Sequence, residues 1–203
     1  MKNYYQRKDS LIKDVQVFKS KNDPSIVAVI LVTETDWWES LSIVKFKNNK
    51  IIWEAKFDSV PGEQSIRSVK QIKLKGFSNL FFQVYGQTHQ GNGFFYLYEL
   101  HGKRMILKAV TRAVDRGFDG EYEMPGDGRL FDEIYTNDTL TATYRDINND
   151  GFEDIVLSGN IELFYNEKKI KSFPARKVLV FNKQKDLFTE DLKRRKGFRK
   201  NDD

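Results

Sequence analysis

The sequence predicts an all-β fold built from repeated four-stranded units, and three observations carry that expectation. Short apolar stretches alternate with polar turns along most of the chain, while helical periodicity is weak throughout. The 16 Phe, 9 Tyr and 3 Trp suit strands, where flat side chains pack on a pleated surface. Hairpin-like segments also recur at a regular spacing. A length of 203 residues fits one large domain or two small ones. The continuous strand pattern favours a single all-β domain over 1–203.

The first unit, approximately 11–58, opens with Val15-Gln-Val-Phe18 and passes through a polar turn into Ile26–Leu31. It closes with the hairpin Ile43–Ala55, IVKFKNNKIIWEA. In the second unit, approximately 66–110, Val69–Leu74 leads through Lys75-Gly76 into Leu80–Val84, and the hairpin Tyr96–Ala109 follows. The third, approximately 139–192, runs from Thr143–Asp146 through Asn149-Asp150-Gly151 into Ile155–Leu157 and ends on the hairpin Val178–Glu190. Each closing hairpin is apolar strand, short polar turn, apolar strand.

The spacing supports a repeat. Asn22 to Gly76 and Trp53 to Leu107 are both 54 residues apart (76 − 22 and 107 − 53). From the second unit to the third, Gly76 to Gly151 is 75 and Leu107 to Phe188 is 81, so the third unit carries about six extra residues. A period near 50 residues with four strands per repeat lies in the range of β-propeller blades.

Between the second and third units, 111–138 reads as an irregular insertion. It holds Asp115, Asp119, Glu121, Glu123, Asp127, Asp132 and Glu133 among four glycines and Pro125. The basic tail 193–203 supplies much of the +5 net charge, and such tails are ordinarily solvated and without fixed structure. Charge of this kind does not single out nucleic acid as a partner.

Composition excludes several chemistries. The absence of Cys removes disulfides, thiolate metal sites and cysteine nucleophiles. With His89 and His101 the only histidines, any metal is expected to be a hard, oxygen-seeking ion. The longest apolar run, Ile26–Val32, is too short for a transmembrane helix. The N-terminal charges precede no apolar segment, so no signal peptide is visible in this chain.

Residues 146–154 read Asp-Ile-Asn-Asn-Asp-Gly-Phe-Glu-Asp. Oxygen side chains fall at loop positions 1, 3, 5 and 9 (Asp146, Asn148, Asp150 and Asp154), and Gly151 takes position 6. Ca²⁺ takes six to eight oxygens, so alternate residues must face inward while the chain curls around the ion. Glycine at position 6 permits the sharp turn, and the Phe152 carbonyl at position 7 offers another oxygen. An EF-hand is not expected: position 12 is Leu157 instead of a bidentate Glu, and both flanks are β-type.

Asp-x-Asn-x-Asp-Gly-x-x-Asp followed by Ile-Val-Leu resembles the calcium loop of FG-GAP/VCBS-type repeats, as in integrin α-subunit propellers. The resemblance covers about a dozen residues. It implies a strand–loop–strand calcium site in a propeller blade, with Asp146, Asn148, Asp150, Asp154 and the Phe152 carbonyl as ligands. The other units depart from it. Matching the glycines places Gln71, Lys73 and Lys75 in the second unit and Val17, Lys19 and Lys21 in the first, and none of these sets chelates a cation. A lysine ammonium standing in for the ion is one reading of the second unit. Closed propellers have four to eight blades, which leaves an open array, a fragment or half of a dimeric ring.

Two functional classes follow. The first is a non-catalytic, extracytoplasmic binding or scaffolding module with one structural Ca²⁺ loop and a protein or carbohydrate ligand. Trp37-Trp38 and Tyr85 are candidate contact aromatics, against the plainer expectation that they pack internally. The alternative is a hydrolase using carboxylates of the 115–133 loop, although nothing selects a pair at glycosidase spacing. That loop, through Asp119-Gly120-Glu121 and Asp127-Gly128, is also a candidate second cation site. No nucleophile elbow, phosphate-binding glycine loop or zinc-type histidine pair is present. His89 reads as a turn residue.

Overall fold

Alternating apolar and polar residues commit this chain to strands, and the computed structural model contains thirteen among the residues it describes: 12–19, 24–33, 39–48, 50–56, 64–88, 93–114, 135–138, 140–165 and 168–197. They form three antiparallel sheets. The first is β1 (Ile12–Lys19), β2 (Ile26–Thr33), β3 (Glu39–Lys47) and β4 (Lys50–Lys56), in that order across the sheet. The second is β5 (Gln64–Ile72), β6 (Leu80–Thr88), β7 (Gly93–His101) and β8 (Arg104–Val114). The third orders β10 (Thr141–Arg145), β11 (Asp154–Tyr165), β12 (Lys168–Asn182) and β13 (Leu187–Glu190), with β9 (Tyr135–Asp138) also paired to β11.

Each sheet thus contains a four-strand meander, to which the third adds β9. Exposed Ile52, Ile106 and Leu187 lie on the last strands β4, β8 and β13, separated by the same 54 and 81 residues as Trp53, Leu107 and Phe188. The turns before β4 and β8 carry left-handed residues at matching places, Asn48 (φ 51°) and Gly102 (φ 63°). In the third sheet the turn is longer, and the left-handed residue is Asp186 (φ 54°).

Central strands are buried on both faces, so their sequences are continuously apolar, whereas outer strands alternate. Ile26–Ile30 on β2, Phe81, Phe82 and Val84 on β6, Phe95–Tyr98 on β7 and Ile155–Leu157 on β11 are all buried. Strand β10 by contrast alternates exposed and half-buried residues. In the first sheet Val27, Val29 and Val44 form a cluster against Val15, Leu31, Phe46 and Ile51. The second sheet buries an ion pair, Glu99 to Lys108 at 2.8 Å, with the Asn79 amide donating to Glu99 at 2.7 Å.

Contacts divide the chain into two compact units. One comprises Met1–His89 with Phe95–Val110, and the other Gln90–Phe94 with Thr111–Asp203.

Two segments differ from the sequence reading. The stretch 111–138, expected to be irregular, begins in β8 and ends in β9, while its middle (115–134) lies outside the described residues. The extra residues of the third repeat lengthen the β11–β12 hairpin well past Leu157. Inward-facing Ile161 and Leu163 extend the strand alternation there and give β9 an edge to pair with. The basic tail is structured at its start. Leu192–Arg194 form a 3₁₀ turn capped by Asp191, and Arg176 and Lys196 exchange backbone hydrogen bonds of 2.8 and 2.9 Å. Arg195 pairs Glu190 through two bonds, 2.7 and 3.0 Å, which fixes the fold-back against β12 and β13.

Burial, helped by the neighbouring Tyr96, pushes the Tyr98 hydroxyl well above the ordinary phenol value of 10.0. Above pH 10 the unfolded chain gives up this proton while the folded chain keeps it, so the associated stability is complete below pH 10 and declines as pH rises. Urea unfolding at a series of pH values is expected to show a shallower alkaline loss of stability in Tyr98→Phe than in the wild type.

Candidate functional site

The loop with the oxygen-rich pattern joins β10 to β11. Its ends are fixed by the ladder, in which Arg145 pairs Asp154 as the closing rung. The eight residues 146–153 between them are curled by their own side chains. Asp146 accepts from the Asp150 amide through Oδ1 (3.1 Å) and from the Gly151 amide through Oδ2 (2.9 Å). Asn148 Oδ1 accepts from the Asp150 amide at 3.2 Å, and Asp150 Oδ1 from the Phe152 amide at 3.0 Å. The Asn148 and Asp150 bonds close turns two residues long, while those of Asp146 reach four and five residues ahead, and together they place positions 1, 3 and 5 on the inner side of one bend.

Two residues of the bend are left-handed, Asn149 (φ 59°) and Gly151 (φ 89°). Asn tolerates that region better than most residues. At Gly151 an added Cβ would meet nothing within 4 Å. The glycine is therefore demanded by backbone conformation and not by crowding.

Asp154 behaves differently from the other three oxygen residues. It has no solvent exposure. Its Oδ2 accepts from the Ile147 amide at 2.9 Å and its Oδ1 from the Phe181 amide at 3.0 Å. The first bond closes the loop. The second reaches β12 beyond the final β11–β12 rung, Ile155 with Leu179. One buried carboxylate thus joins the loop to the neighbouring strand, and charge-assisted bonds of this length are strong ones.

Side chains reinforce the junction. The Phe152 ring packs on Phe181 at 5.3 Å between centroids, and Phe181 packs on Phe188 at 5.2 Å. Lys183, from the β12–β13 turn, donates to the Asp150 carbonyl at 3.2 Å. Its ammonium lies 3.9 Å from Asp150 Oδ2 and 4.5 Å from the Phe152 ring centroid.

The corresponding loop of the second sheet has the same length but another content. Ile72 pairs Phe81 as its closing rung, again bracketing eight residues, 73–80. Register therefore matches Asp146, Asn148, Asp150 and Asp154 with Lys73, Lys75, Phe77 and Phe81. This corrects by two residues the alignment obtained by matching Gly76 with Gly151, because Gly76 is fourth in its loop and Gly151 sixth. Phe77 and Phe81 meet edge to face at 5.0 Å where the third sheet has Asp150 and Asp154. The Phe77 amide donates to the Leu74 carbonyl, a different turn from that of 146–153. Lysine does appear at the matched positions, but the loop is closed by an aromatic pair. In the first sheet Val27 stands where Phe81 stands, and residues 20–23 of that loop lie outside the described residues.

A hard cation is compatible with these residues in kind and in spacing. Every donor is oxygen, and the oxygens of Asp146, Asn148 and Asp150 that accept an amide retain further lone pairs. Among the described residues, however, no group of three or more His, Cys, Asp or Glu side chains is placed to hold a metal ion. The third position is an amide, Asn148, and both Asp154 oxygens accept from backbone amides.

The other expected contact residues divide in two. Tyr85 is half-buried, edge-on to Phe95 at 5.6 Å, which is packing. Trp37, Trp38, His89 and the acids between Asp115 and Glu133 lie outside the described residues, and the hydrolase and second-cation readings of that loop with them. His101 is exposed at the end of β7. Among the described residues no helix is long and apolar enough to cross a membrane.

No protein-family model, curated protein or solved structure matches this chain.

Removing the Asp154 carboxylate leaves the buried Phe181 amide without its acceptor and opens the loop. Asp154→Ala is expected to cost about 3 kcal/mol and Gly151→Ala about 1 kcal/mol, the second from backbone strain alone. Equilibrium denaturation of both variants checks the order, with Asp154→Asn, which keeps one acceptor oxygen, falling between wild type and Asp154→Ala.

Proposed function

We propose that the protein is a non-catalytic binding or scaffolding module, related to FG-GAP/VCBS-type repeats, whose residues 146–154 hold a structural Ca²⁺. The observation that carries the reading is the bend itself. Asp146, Asn148 and Asp150 are drawn to one side by their turns onto the amides of Asp150, Gly151 and Phe152. Alternate oxygens on one side of a glycine-containing loop are what a calcium ion requires.

Ligands in this reading are the side chains of Asp146, Asn148, Asp150 and Asp154 with the carbonyl of Phe152. Bound Ca²⁺ would supply charge neutralisation, and the chain's residues do the rest. Asp154 holds the loop shut and, with four lone-pair sites against two amides, keeps capacity for an ion. Three carboxylates and one amide correspond to weak binding, roughly 10⁻⁴ to 10⁻³ M. Such a site fills where calcium is millimolar, which favours an extracytoplasmic setting.

Three successive four-stranded antiparallel meanders support a propeller-like array, open or completed by a further copy. The partner in this reading is a protein or carbohydrate contacted by the module's surface.

Thermal unfolding in excess EDTA and then in Ca²⁺ tests the reading. At a free Ca²⁺ concentration ten times Kd, the wild type should gain about 1.4 kcal/mol of stability. In Asp150→Ala the gain should vanish, whatever the variant's baseline midpoint. An unchanged wild-type midpoint up to about 10 mM Ca²⁺ would contradict the proposal, since occupancy is then high for any site in the stated affinity range.

A further inference from the structure

Lys183 belongs to no motif in the sequence, yet it brings a cation onto the 146–154 loop. Its turn is held in place by Asn182, whose side-chain oxygen accepts from the Gln184 and Lys185 amides at 3.0 and 3.1 Å. From that turn the ammonium reaches three acceptors at once: the Asp150 carbonyl at 3.2 Å, Asp150 Oδ2 at 3.9 Å and the Phe152 ring face at 4.5 Å.

The distribution of Asp150's acceptors makes this contact consequential. Oδ1 accepts from the Phe152 amide, so Oδ2 is the carboxylate oxygen that pairs with the lysine, at 3.9 Å. A metal ion recruiting Asp150 through Oδ2 meets an ammonium already drawn to that oxygen. Resting on the calcium reading above, we propose that Lys183 is the internal counter-cation of the metal-free loop and competes with Ca²⁺ for Asp150, setting the site's affinity low.

The competition has two consequences of opposite sign. Without metal, Lys183 offsets repulsion among the loop carboxylates and ties the loop to the β12–β13 turn, so it stabilises the metal-free form. With metal, the same charge opposes the ion and weakens binding. Lysine's half-exposed position means that both effects are screened by salt. The turn bearing Lys183 spans residues 183–186, longer than the turns preceding β4 and β8.

Lys183→Met keeps a long apolar stem over Phe152 and removes the charge. Calorimetric titration with CaCl₂ alone, beside thermal unfolding in EDTA, reads both consequences on the full chain. At about 20 mM salt the variant should bind Ca²⁺ roughly three- to ten-fold more tightly than wild type, with the difference shrinking below about two-fold at 0.5 M salt. Its metal-free melting midpoint should fall below that of wild type. Equal or weaker Ca²⁺ affinity in the variant, with binding measurable in both proteins, would overturn the role of Lys183 and leave the calcium site standing. Absence of binding in both proteins would overturn the calcium reading and the competition together.

Discussion

A carboxylate without solvent must find hydrogen-bond donors inside the protein, and Asp154 finds two that belong to different parts of the third sheet. The Ile147 amide belongs to the β10–β11 loop, and the Phe181 amide to β12 past the end of its ladder with β11. Holding both with one side chain fixes the loop's exit relative to the neighbouring strand. The inner bend of Asp146, Asn148 and Asp150 is then suspended between the Arg145–Asp154 rung and the Asp154–Phe181 bond. The shape of the loop depends on that suspension.

The second sheet shows the same constraint met by different means. An eight-residue loop again spans the rung from β5 to β6, but Phe77 and Phe81 pack edge to face where Asp150 and Asp154 stand. An aromatic contact stands there in place of the carboxylates. In the third sheet, aromatic packing lies beside the loop, where Phe152 packs on Phe181 and Phe181 on buried Phe188. This frees the loop interior for oxygen. Two sheets therefore carry different chemistries on connecting loops of the same length.

Much of this was legible in the sequence. Strand pairs in each repeat follow from apolar runs broken by polar turns, and the 54-residue spacing from Trp53 to Leu107 reappears in Ile52 and Ile106. The bend at 146–151 was legible because short oxygen side chains and a glycine encode their own local turns. What depended on distant pairing was not. Asp154's bond to Phe181 spans 27 residues, and nothing in the intervening chain announces it. Lys183 sits in a run of polar turn residues that reads as solvated. Matching glycines misplaced the second-sheet loop by two residues because turn residues can move within a loop of constant length, whereas the ladder rungs cannot. The basic tail was read from charge alone, but Arg195 has Glu190 and Lys196 has the β12 backbone to hold it.

The most direct test of the central claim is amide hydrogen exchange, residue by residue, on the metal-free protein. If Asp154 joins loop and strand as described, the Ile147 and Phe181 amides exchange slowly and together, and both accelerate in Asp154→Ala while the β11–β12 rungs keep their protection. Rapid exchange at Ile147 and Phe181 in the wild type, at the rate of an open surface loop, would contradict the account.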